Sequence, residues 1–182
     1  MSNSYKGKIL ISTPDLTGDV FSRSVVLIID HNPEGAFGLI LNKKNVEVSQ
    51  NIAQIFGYPV DVYEGGPVSN EKIFFIVKGT PMNEFFMKID NDYYLTEDAE
   101  TIVTALIDGE LELQQVKVFS GYSGWSANQL ESEIGQKFWT QVELVNLDYT
   151  SPNDQGLWRQ IMENLGGQFL LFANTPEDIS MN

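Results

Sequence analysis

Apolar and polar positions along this chain fall mostly into short runs. Lys8–Ser12, Ser24–Asp30, Phe37–Asn42, Lys72–Lys78, Glu84–Ile89, Tyr93–Thr96, Gln115–Ser120 and Trp139–Asn146 are rich in β-branched or aromatic residues, and Gly, Pro, Asn or Asp bounds each. They read as strands, with Asp90-Asn91-Asp92 as a hairpin turn. Helical periodicity appears four times. Ser49 is placed to cap a short helix carrying Ile52, Ile55 and Phe56, and Thr96 to cap Glu97–Ile107 before Gly109. Ser126 and Gln129 have capping-box spacing at the start of Ser126–Ile134. Asp154–Leu165 puts Leu157, Trp158, Ile161, Met162 and Leu165 on one face before Gly166-Gly167. Strands outnumber helices without a regular βαβ alternation, which predicts one α+β domain with a mixed, strongly bent sheet. No repeat or linker divides residues 1–182, and 1–6 and 174–182 are expected to be flexible tails.

The stretch Arg23–Lys43 concentrates scarce chemistry, with the only histidine, His31, and one of two arginines, Arg23. Both alternating faces of Val25–Ile29 and Phe37–Leu41 are apolar, so these strands should be covered on both sides. Asn32-Pro33-Glu34-Gly35 fits a type I turn between them. With Asp30 opposite Phe37, Ser24 falls near Lys43 and Val25 near Asn42. Arg23, Asn42 and Lys43 then gather at the open end, roughly 25 Å from His31 and Asn32 at the turn. One active centre using both ends is not expected unless the hairpin bends sharply. His31 also reads as a turn residue bonded to backbone, and Arg23 as half of a structural ion pair.

Charge narrows the possible functions. Residues 1–50 hold five basic and five acidic side chains, while residues 51–182 hold six against twenty, giving a net −14. With no basic cluster to neutralise phosphates, direct nucleic-acid binding is not expected, nor is docking on an anionic membrane. No apolar run approaches the ~20 residues that span a bilayer, and no signal-peptide pattern opens the chain, so a cytoplasmic location is expected. Without cysteine there is no disulfide, thiol nucleophile or cysteine-ligated zinc. No cofactor or metal is expected. Asp90/Asp92 and Glu131/Glu133 read as a solvated turn and helix face.

Gly121-Tyr122-Ser123-Gly124-Trp125 lies between a predicted strand and helix, the setting of a nucleophile elbow. The second glycine comes one residue after Ser123 instead of two, and the histidine lies upstream. The alternative is a tight strand-to-helix turn with Tyr122 and Trp125 against the core. Gly65-Gly66-Pro67 could present N–H groups to an anion, yet it lacks a phosphate-loop lysine and equally suits a turn or bulge.

RSVVLIIDHNPEGAFGLILNK, EGGPVS and FSGYSGWSANQLESEI, in that order, resemble the AlgH/YqgE family of small bacterial cytosolic proteins, from Gly7 to about Gly166. The family pattern maps onto Arg23–Val26, His31-Asn32, Gly35-Ala36, Asn42-Lys43, Gly65–Pro67, Gly121-Tyr122, Trp125 and Gln129–Glu131. It does not ask for serine at Ser123. The resemblance implies one compact domain whose bifurcated sheet curls into a pseudo-barrel flanked by helices. It supplies no activity, although a transcriptional-regulator label has been attached to the family. The leading expectation is a non-catalytic module binding a protein or small molecule, with an indirect regulatory role. A small hydrolase-like enzyme using His31 as acid/base comes second, and a DNA-binding regulator third. Candidate binding residues are Arg23, His31, Asn32, Asn42, Lys43, Gly65, Gly66, Gly121, Tyr122 and Trp125.

Overall fold

Among the described residues, nine strands form one bent sheet around a strand that changes partners half-way. The computed structural model describes residues 4–13, 21–144 and 146–174. In chain order the strands are β1 (Ile9–Ser12), β2 (Val25–Asn32), β3 (Gly35–Ile40), β4 (Val62–Glu64), β5 (Val68–Lys78), β6 (Met87–Lys88), β7 (Tyr93–Thr96), β8 (Val116–Ser126) and β9 (Trp139–Val142). Their spatial order is β6-β7-β5-β8-β3-β2-β1-β9, with β4 beside β8. Every pairing is antiparallel except β4 with β8.

The fork lies in β8. Its first half pairs with β4 and β5, whereas Ser123–Ser126 pair with β3. At the change-over Gly121 adopts φ 72°, and the main chain of Gly65-Gly66 crosses directly over it. A Cβ on Gly65 would sit 2.4 Å from the Gly121 carbonyl oxygen, and one on Gly66 would sit 2.2 Å from that of Tyr122. Only glycine permits this approach. Gly65 then joins the two arms: its N–H donates to Ser120 O, and its carbonyl accepts from Ile40 N–H. The sequence Gly121–Trp125 is therefore strand, not the expected strand-to-helix turn. Gly121 also resets the facing of side chains, so that Phe119 and Tyr122 meet the same apolar cluster.

Five α-helices among the described residues cover the sheet: α1 (Val46–Phe56), α2 (Ala99–Asp108), α3 (Gln129–Gly135), α4 (Gln155–Leu165) and α5 (Gln168–Asn174). The interior of the curl gathers Leu27, Ile29 and Leu39 from one arm and Phe74, Ile76 and Phe119 from the other. Trp158, Ile161 and Met162 of α4 close it. On the outer faces, Ile102 and Ala105 of α2 pack on Phe75, Val77 and Val118, while Leu130 of α3 packs on Val26, Ile28 and Ile40. The β2–β3 ribbon is thus covered on both sides, as its doubly apolar pattern requires.

Caps moved several boundaries from expectation. Asn45, not Ser49, caps α1 by accepting Val48 N–H, and Gly57 ends the helix at φ 79°. Asp98 replaces Thr96 as cap of α2, and Gly109 stops it at φ 77°. Asp154, read as the first residue of the last predicted helix, is the cap of α4, which starts at Gln155. Ser126 still belongs to β8 and bonds Gln129 Oε1, while α3 starts after Asn128 in the left-handed region. The run Glu84–Ile89 contributes only the two residues of β6, and β9 stops at Val142.

The hairpin register is corrected as well. Asp30 does face Phe37, but a bulge between Ile28 and Asp30 puts Val26 opposite Ile40, and Leu41 N–H donates to Val25 O. Val25 reaches Asn42 only through that residue's side chain. Ser4–Lys6, expected in a flexible tail, are held on the ribbon, with Ser4 Oγ donating to His31 O and Tyr5 N–H to His31 Nδ1. Residues 1–3 and 175–182 of the expected tails lie outside the described residues.

Candidate functional site

The candidate residues divide between structural posts and one shallow concavity. Asn42 is 1% exposed, takes Val25 N–H on Oδ1 at 2.9 Å and gives Nδ2–H to Arg23 O at 3.0 Å. It holds Arg23 in the left-handed region at φ 52°. The Arg23 guanidinium lies over the Trp158 ring, 5.1 Å from its centroid, so this cation meets an aromatic face of α4. Lys43 O accepts Glu64 N–H, tying β4 to the end of the ribbon. The open end of the hairpin is built into the core.

At the other end, the His31 side chain is 5% exposed. Its Nδ1 accepts Tyr5 N–H at 2.9 Å, and its ring lies 5.4 Å from that of Tyr5. An accepting Nδ1 requires the neutral ring to carry its proton on Nε2. Nε2 is 3.3 Å from Glu131 Oε2 but lies off the direction of a hydrogen bond. The ring is a fastener for the incoming chain. Asn32 Oδ1 takes Glu34 N–H and supports the turn. Ser123 is fully buried and donates its Oγ–H to Gly65 O at 3.0 Å, on the main-chain crossing itself. That geometry contradicts a nucleophile elbow, whose serine must be exposed at a sharp turn. The Gly65 N–H is spent on Ser120 O, which removes it from any anion cradle. Trp125 and Trp139 both donate their indole N–H to Glu133 Oε1 at 3.0 Å. A concavity of about 250 Å³ near the turn is lined by Asp30, Asn32, Glu34, Gly35, Ala36, Phe37 and Trp125, and so brings the candidates Asn32 and Trp125 together.

A larger cleft, about 550 Å³, opens between β4 and the N-terminal turn of α4, and it contains none of the predicted residues. Lys44, Asp61 and Tyr63 form one wall, and Pro152, Asn153, Asp154, Gly156, Leu157 and Gln160 the other. Lys44 Nζ and Asp61 Oδ1 pair at 2.8 Å, and hydrogen bonding to Asp61 followed by its charge holds the Lys44 amine above its ordinary range. Burial, then the Asp61 charge, pushes the Tyr63 phenol up, against the Asn153 main-chain contact. Asp154 is committed to capping α4 through Gly156 N–H at 2.7 Å.

Behind Tyr63 lies Lys117, 3% exposed and pointing into the aromatic interior of the curl. Its Nζ donates to Leu41 O at 2.6 Å and Ser151 O at 2.8 Å, and it sits 4.1 Å from the Tyr63 ring centroid. Burial pushes its amine down to about 7, with the Asp148 charge opposing. Burial works to raise the Asp148 carboxyl, but bonds from Thr150 and Tyr93, with Lys78 nearby, hold it below the usual range. Sequence reasoning passed over Lys117. Its signal was a lone cation between valines in the strand Val116-Lys117-Val118-Phe119, where alternation buries one face or both.

A forked, curled α+β sheet with helices on both faces and a polar cleft at the end of its central ribbon defines the class. The family model described as DUF179, AlgH-like, matches residues 9–170, and this chain belongs to that family. A UPF0301 protein of Cytophaga hutchinsonii is 34% identical over 179 residues, 97% of this chain and 98% of that one. UPF0301 protein BF2109 of Bacteroides fragilis is 32% identical over 184 residues, covering 97% and 91%. The solution structure of the AlgH protein from Pseudomonas aeruginosa superposes with a TM-score of 0.73 at 21% identity, covering 96% of this chain and 97% of that one. Protein DIP2367 from Corynebacterium diphtheriae gives 0.72 at 19%, covering 96% and 94%. Both structures share the fold.

Proposed function

We propose that this protein is a non-catalytic cytoplasmic binding module, with an indirect regulatory role, whose ligand seats in the cleft between β4 and α4. The observation that carries this reading is a division of labour. His31 and Ser123 are buried and bonded to main chain, while the open cleft displays an ammonium, carboxylates and amides around a tyrosine. Its volume lies in the range of small-molecule sites. A lining with both charge signs matches a small molecule that itself carries both, one able to bridge or part the Lys44–Asp61 pair. The net charge of −14 argues against nucleic acid as the ligand.

The test is a thermal-shift screen with a panel of amino acids and other zwitterionic small molecules. At least one should raise the melting temperature of the native chain, and Gln160→Trp, which fills the cleft from the exposed face of α4, should abolish the shift without lowering the ligand-free value. Turnover of an ester, amide or phosphate lost on Ser123→Ala or His31→Gln would contradict the proposal and favour the hydrolase reading.

A further inference from the structure

The chain from Asp148 to Asp154 has no regular secondary structure apart from turns, yet it supplies Pro152, Asn153 and Asp154 to the cleft. It lies across the mouth of the curl as a strap. One buried side chain ties it to the sheet at both levels: Lys117, rooted in β8, donates to Leu41 O just beyond β3 and to Ser151 O in the strap. We propose that Lys117 is a proton-linked latch, so that seating the strap against the sheet, and with it the far wall of the cleft, expels a proton from the Lys117 amine. The consequence for ligand binding rests on the cleft reading above; the latch itself does not.

Solvation of the amine sets the link. With the strap seated, the amine is cut off from water and its compensation is two carbonyls and aromatic rings. With the strap lifted, Ser151 O is gone and water reaches the amine, which regains its ordinary preference for the charged form. The groups facing it allow this. Asp148 on the strap is the charge acting on Lys117, and it is already engaged by Thr150, by the Tyr93 hydroxyl at 3.2 Å and by Lys78 at 3.6 Å. Tyr63 on β4 presents its ring. Leu41 beyond β3 presents a carbonyl and the β8 neighbour Phe119 a ring, so neither contributes a titrating group. Tyr149 meets the Tyr93 ring at a tilt, centroids 4.6 Å apart, and burial pushes its phenol up, so it stays neutral here. Linkage sets the sign: the seated strap binds fewer protons than the lifted one, so raising the pH favours seating.

The experiment is amide hydrogen exchange on the full chain, without ligand, across about pH 7 to about pH 9, with the base-catalysed chemical rate divided out. The expected opening constants for Ser151 and Asn153 exceed those of β2 amides and fall with pH, by up to about tenfold per unit. Lys117→Met should make the strap profile flat. Asp148→Asn, which removes the charge opposing the effect of burial, should move the Lys117 titration, read from its side-chain resonances, to lower pH; it keeps the test available should Lys117→Met fail to fold. A flat profile in the native chain, strap amides opening only together with β2, or a Lys117 amine titrating in the ordinary lysine range would each overturn the latch. A titrating strap on a protein that binds no zwitterion would leave the latch standing and remove the cleft reading.

Discussion

At the level of single residues, the polar groups of the ribbon are fasteners. Asn42 stands in for a missing length of β3, giving Val25 N–H an acceptor and Arg23 O a donor inside the core. Asn42→Ala should take the acceptor from the buried Val25 N–H and cost about 1–3 kcal/mol, measured as a lowered urea midpoint at unchanged slope. Gly65 is constrained by a neighbour's main chain, which cannot rotate away as a side chain can. Gly65→Ala, with a Cβ 2.4 Å from the Gly121 oxygen, should destabilise by about 1–3 kcal/mol or more, whereas alanine at Gly135, with open space around its Cβ, should cost far less. The sequence marked His31, Asn42 and these glycines as unusual. What it could not show was that their scarcity reflects local geometry, because the Gly65–Gly121 crossing joins segments over fifty residues apart.

At the level of elements, legibility followed local determinants. Val25–Ile29 with Phe37–Leu41, the Asp154-capped α4 and the Asp90-Asn91-Asp92 turn are determined by nearby residues, and they could be read. Asp90 Oδ1 takes the N–H groups of Asp92 and Tyr93 at that turn. The second half of β8 could not be read, because Gly121, Ser123 and Gly124 have little strand propensity and become strand only through β3. The three-residue β4 was missed for the same reason, being held by β8 in the only parallel pairing described. Lys117 makes an element-scale prediction about pH. Its amine titrates about 7 when folded and near 10.5 when unfolded, so its contribution to stability is complete above the unfolded value and is lost as pH falls toward about 7. From about pH 7 to about pH 9.5, stability should therefore rise by up to about 1 kcal/mol per pH unit, and Lys117→Met should remove that rise. Tyr63, Tyr93 and Tyr149, all pushed up, keep their contribution below the ordinary phenol range and lose it above, outside that interval.

At the level of the whole molecule, the curl explains where a site can be. Its interior is filled by apolar side chains and α4, and its outer faces carry α1, α2 and α3. That leaves the seam where the strap and α4 meet β4, which is where the larger cleft lies. The sequence could not reveal it, since its walls come from residues 44–63 and 152–160 and neither segment has a chemical motif. The acidic charge of residues 51–182 makes a further whole-molecule prediction: no salt-sensitive binding to duplex DNA at physiological ionic strength, checked by fluorescence anisotropy.

The central claim is that ligand recognition belongs to this cleft and not to the hairpin tip. The most direct measurement is two-dimensional amide NMR of the native chain titrated with the zwitterion that gives the largest thermal shift. Saturable perturbations are expected at Lys44, Asp61, Tyr63, Asn153 and Gln160, with His31, Asn32 and Trp125 unmoved. Perturbations centred on Asp30, Asn32 and Trp125 instead, with the cleft silent, would contradict it.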